Sequence, residues 1–132
     1  MKNLFKILIL CLSILIVSCG NSKDQLFKST SNELNEMCPM TIDEYTVLTS
    51  TVYINGDFIY KYNCDIDNFF NDFDFSKYEW EKNQYQSMKN LFCTAPDLQE
   101  FRDNDINVVW KYYDLLGNEF SEMTVNSNNC SY

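Results

Sequence analysis

Histidine is absent from this 132-residue chain. Its absence removes the side chain most often used as a general base near neutral pH, and the commonest metal ligand. Glycine and proline are scarce, at three and two residues, too few for a collagenous, linker-rich or low-complexity chain. The sequence holds no CxxC pair and no GxSxG, SxxK, HExxH, P-loop or GxGxxG signature, so no nucleophile, zinc or nucleotide motif points to catalysis. Basic residues are outnumbered, ten Lys and Arg against nineteen Asp and Glu. That balance speaks against a nucleic-acid partner, which needs basic patches to neutralise phosphates. A calcium loop starting at Asp65 fails as well, because Phe69 and Phe70 occupy its fifth and sixth positions, where an oxygen ligand and a glycine are required. No catalytic residue, metal or cofactor is expected.

What is present begins with a leader. Met1 to Lys6 is a short basic start, and Ile7 to Val17 is apolar except for Ser13. The run is too short to cross a bilayer, which takes about 20 apolar residues, and small polar residues follow it at once. The tetrapeptide Ile16-Val17-Ser18-Cys19 resembles the lipobox of bacterial lipoproteins. That resemblance implies removal of residues 1–18 as a signal peptide and acylation of Cys19, whose acyl chains would hold the protein on a membrane. Gly20 stands where the enterobacterial sorting rule would need aspartate for inner-membrane retention, so the outer membrane is the expected address. Residues 19–25 then read as a lipidated tether and residues 26–132 as one domain.

Aromatic residues make up 16% of the chain, and of these only Phe5 lies in the leader. A chain so rich in rings can fill a core and is not expected to be disordered. Setting aside Cys11 and Cys19, four cysteines remain, Cys38, Cys64, Cys93 and Cys130. In a secreted domain an even number suggests two disulfides, for which three pairings are possible.

Periodicity then places the elements. Leu26, Phe27, Thr30, Leu34, Met37 and Cys38 recur at three- and four-residue steps and predict a helix over about 24–38, ended by Pro39. Tyr45 to Ile54 and Phe58 to Asn63 alternate around Asn55-Gly56, a strong hairpin signal because both turn positions need positive φ. Ser76-Lys77-Tyr78-Glu79 has the form of a capping box, starting a helix that runs to about Cys93. Pro96 opens a second, shorter helix carrying Leu98 and Phe101. Ile106 to Tyr113 and Glu119 to Val125 form a last pair of strands around a turn at Gly117-Asn118. The expected architecture is α+β: an N-terminal helix and a four-stranded antiparallel sheet from two hairpins, with the two intervening helices packed on one face.

The C-terminal half is similar to the pilotin-type outer-membrane lipoproteins that escort secretins of type II secretion. The residues that carry the likeness are Cys93, Asp97-Leu98 with Phe101, the strand Val108-Val109-Trp110-Lys111-Tyr112, Gly117-Asn118, Val125 and Cys130. The resemblance implies a disulfide between Cys93 and Cys130, which leaves Cys38 and Cys64 as the second pair. It also implies a binding role toward another envelope protein, accessory or chaperone-like. An inhibitor or immunity-type lipoprotein and a small carboxylate-using envelope hydrolase are the alternatives. The stretch from Asn68 to Phe75 stands out, because Phe69, Phe70, Phe73 and Phe75 sit among acids and amides. These rings are candidates for a partner-binding edge; packed inward, they would instead cap the core between hairpin and helix.

Overall fold

The computed structural model describes residues 22–130, so the leader, the lipobox and Cys19 lie outside the described residues. Helix α1 spans Ser22–Met37 and already includes residues 22–25, expected as tether. Strands β1 (Met40–Thr41), β2 (Thr46–Ile54) and β3 (Asp57–Cys64) follow, then helices α2 (Ile66–Asp72) and α3 (Lys77–Thr94). A 3-10 turn at Pro96–Leu98 leads into α4 (Gln99–Asp103), and β4 (Asn107–Tyr113) and β5 (Glu119–Val125) complete the sheet.

The local signals act as their chemistry requires. Asn55 and Gly56 both take positive φ, 52° and 88°, and join β2 to β3. Ser76 and Glu79 form the reciprocal capping box at the start of α3. Helix α2, which periodicity did not reveal, is capped by the Asp65 carboxylate accepting from the Asn68 backbone N–H.

The sheet has five strands in the order β1-β2-β3-β4-β5, and it is mixed. This corrects the expected four-stranded antiparallel sheet: β3 and β4 run parallel, from Asp57↔Asn107 to Asn63↔Tyr113. The cause is the helical connection between the two hairpins. Helix α3 carries the chain back along the sheet, so β4 starts at the end where β3 started and runs beside it in the same sense.

One sheet face carries Phe58, Tyr60 and Tyr62 on β3 against Val108, Trp110 and Tyr112 on β4, with Met123 and Val125 continuing on β5. Phe27 of α1 lies over this layer, with ring centroids 5.5 Å from Tyr53 and 5.1 Å from Phe101. Phe58, Phe92, Ile106, Val108 and Val125 are wholly buried there. Strand β1 pairs only with Val47 and Leu48. Further along β2, the backbone N–H and C=O of Thr51 are therefore bonded by the Asn35 side chain of α1, at 2.6 and 2.9 Å.

Cys93, near the end of α3, is joined to Cys130 beyond β5, with Cα atoms 5.5 Å apart. The expected second bridge is not formed: Cys38 and Cys64 are free thiols. The two cysteines sit on opposite sides of β2. Met40 lies opposite Leu48, which lies opposite Tyr62. Cys38 stands two residues before that level and Cys64 two beyond it on β3, with β2 between them. Cys64 is instead held against Thr46 at the start of β2, its thiol 3.8 Å from that hydroxyl.

Candidate functional site

Helix α3 and the turn into β2 leave a groove of about 330 Å³ between them. Its floor is the pair Tyr62 and Tyr112, whose rings stack at 5.1 Å because β3 and β4 are in parallel register. Gln84 of α3 donates to the Tyr112 hydroxyl at 3.0 Å, and Trp80 stands edge-on to the same ring at 5.1 Å. The α3 wall presents Trp80, Asn83, Gln84, Ser87 and Met88, the i, i+3, i+4, i+7, i+8 stripe that one helix face provides. Ile42, Asp43 and Thr46 form the opposite wall, and Ile42 is 54% exposed at the rim.

Burial is the main force on the titrating groups of the floor. It pushes the Tyr112 hydroxyl up to about 12, against the hydrogen bond from Gln84, and raises Tyr62 as well. The buried Cys64 thiol is pushed up to about 11 for the same reason, partly opposed by its contact with Thr46. These groups hold their protons firmly, as hydrogen-bonding and packing surfaces do; an activated thiol has a lowered value.

The four phenylalanines singled out in the sequence come together at one end of the groove. Phe69 is their hub, with ring centroids 5.3 Å from Phe70, 5.0 Å from Phe73 and 5.5 Å from Phe75. It also meets Tyr45 at 5.5 Å and Trp80 at 6.4 Å. Phe69 and Phe75 line the groove itself. Phe70 turns toward Ile66, Cys64 and Phe120, and Phe73 is 43% exposed. The Tyr45 hydroxyl donates to Asp72 at 2.6 Å, which holds its proton to about 12. The cluster therefore does two jobs, sealing the space under α2 and offering an edge to the groove.

Sequence reading missed Tyr62, Tyr112, Trp80, Gln84 and Met88 as site residues. Tyr62 and Tyr112 were legible as members of alternating strands, but their meeting depends on β3 lying beside β4.

The two-layer arrangement is shared with solved structures of pilotins. The pilotin EpsS of the Vibrio vulnificus type 2 secretion system superposes with a TM-score of 0.68 over 85% of this chain and 94% of its own, at 8% identity. AspS, the type II secretion pilotin of Vibrio cholerae, gives 0.64 over 83% and 94%, at 13% identity. A Pseudomonas aeruginosa protein described as a candidate secreted protein gives 0.62 over 83% and 97%, at 8% identity. At such identities the likeness is one of fold. Residues 21–119 match the family described as Domain of unknown function (DUF8479), and the chain belongs to that family. No curated protein matches the sequence.

Proposed function

We propose that this protein is a non-enzymatic, pilotin-like lipoprotein of the cell envelope that captures a helical segment of another envelope protein in the groove over Tyr62 and Tyr112. The observation that carries the reading is the groove itself, set in a fold shared with two pilotins along most of both chains. Both floor strands are hydrogen-bonded on each side inside the sheet, so the groove offers no free strand edge. An occupant must bring its backbone already satisfied, which a helix does.

In this reading residues 1–18 are removed, Cys19 is acylated, and the lipid holds the domain at the outer membrane. The tether also raises the effective concentration of the domain at the membrane surface, so a groove of modest affinity suffices. No helix among the described residues is long and apolar enough to cross a membrane.

Two measurements test the proposal. Intact mass of the membrane-extracted protein should show loss of residues 1–18 and a gain from lipid at Cys19, both absent in Cys19→Ser. Photo-crosslinking from position 83, on the groove wall, should yield one dominant envelope adduct, while a label at exposed Leu116 should not. Equal labelling from both positions would sink the groove reading.

A further inference from the structure

The groove is uneven in charge. Among its lining residues Asp43 is the sole ionised side chain, and the α3 wall from Trp80 to Met88 presents only aromatic, amide, hydroxyl and thioether groups to it. At the Phe69 end the acids gather around Tyr45. Asp72 accepts from its hydroxyl at 2.6 Å, Asp43 accepts from its backbone N–H at 2.9 Å, and Glu44 and Asp65 lie close enough to help hold its proton.

Among the described residues no lysine or arginine forms an ion pair with Asp43 or Asp72. Lys77 pairs with Glu81 at 3.7 Å and lies over the Phe120 ring. Lys111 pairs with Glu119 and Glu122 on the opposite sheet face. Arg102 is taken by the carbonyls of Phe92 and Ala95. A helix lying on the tyrosine floor therefore meets carboxylates without an ion-pair partner at one end of the groove.

We infer that the groove selects a cationic amphipathic helix, seated with its apolar face on Tyr62, Tyr112 and Met88 and with lysine or arginine on the flank that reaches the Asp43 and Asp72 carboxylates. This rests on the groove reading proposed above. Polar recognition along the wall falls to Asn83 and Ser87, while Met88 adapts its shape to the apolar side chains it meets. The same acids repel an anionic helix and an anionic lipid surface. The charge sets partner choice and encounter rate more than it sets the final affinity.

Three synthetic helical peptides with the same leucine face and no tryptophan, flanked by Lys, Gln or Glu, separate the possibilities. Each is titrated against the detergent-extracted full chain, with Trp80 fluorescence reporting occupancy and Trp80→Phe assigning the signal. The Lys peptide should bind several-fold tighter than the Gln peptide, the Glu peptide weakest, and the Lys advantage should shrink as salt rises. Asp43→Asn and Asp72→Asn should each reduce the ratio of Lys-peptide to Gln-peptide affinity, and an unchanged ratio in both variants would overturn the charge inference. Equal binding of Lys and Gln peptides would overturn the charge inference while leaving the groove reading intact. Failure of all three to perturb Trp80 would overturn both.

Discussion

Two aromatic clusters, built from the same residue types, behave differently. Around Phe58 the rings come from distant parts of the chain, with Phe27, Tyr53, Phe58 and Phe101 contributed by α1, β2, β3 and α4, and every one of them is buried. Around Phe69 the rings come mostly from one stretch of seven residues, 69–75. They touch one another more than they touch the sheet, and Phe73 remains 43% exposed. Rings gathered from many elements have a second layer to cover them, whereas neighbours in sequence can only fold over themselves. Aromatic content therefore signals a core in one case and a surface in the other, and the difference lies in sequence separation.

Alkaline titration should give the largest effect, because the inner layer holds buried phenols. Tyr60 and Tyr112 are each raised to about 12 and Cys64 to about 11, chiefly by burial. These groups keep their protons more tightly folded than unfolded. Their contribution is intact below the unfolded values, 9.0 for the thiol and 10.0 for the phenols, and is lost as pH climbs through about 11 and 12. Circular dichroism should show global unfolding in that window; a fold that survives pH 12 would contradict the burial of the tyrosine layer.

Phe58→Ala should cost about 3–5 kcal/mol, since it empties a site with no exposure, and urea unfolding measures it directly. Next comes the clip between α3 and the end of β5. Cys130→Ser opens a loop with a sequence separation of 37, worth roughly 3.5–4 kcal/mol in the chain-entropy model, and should lower the melting temperature to match. Smallest in stability is Phe73→Ser, at about 1 kcal/mol or less because the ring is half in water already. If the groove captures a helix as proposed, that variant should weaken the capture more than it lowers the melting temperature. A Phe73→Ser loss as large as that of Phe58→Ala would erase the distinction between the clusters.

Much of this was legible wherever a residue acts on its own neighbours. Asn55-Gly56 fixed a hairpin, and Ser76 with Glu79 fixed a helix start, because both depend on backbone chemistry within four residues. The parallel pairing was not legible, since Phe58-Tyr60-Tyr62 and Val108-Trp110-Tyr112 alternate identically whichever way the strands run. Helix α2 escaped because Asn68, Asn71 and Asp72 are poor helix formers, and its one signal was Asp65 as a cap. The groove followed the fate of the pairing, for its floor exists only once Tyr62 and Tyr112 stand side by side. The phenylalanine stretch was recognised as unusual, and the structure divides its members between lining the groove and sealing the space beside it.

The β3–β4 junction also sets a timetable. Asp57 and Asn107 meet across it, side chain to side chain at 2.8 Å, although 50 positions separate them. A chain threaded outward from its N-terminus delivers the first hairpin well before the partner of β3 arrives. Until Asn107–Tyr113 has emerged, β3 presents an unpaired edge and one uncovered aromatic face to its surroundings. Non-local pairing of this kind is slow to form, so the edge of β3 stays open to wrong partners for as long as β4 is missing.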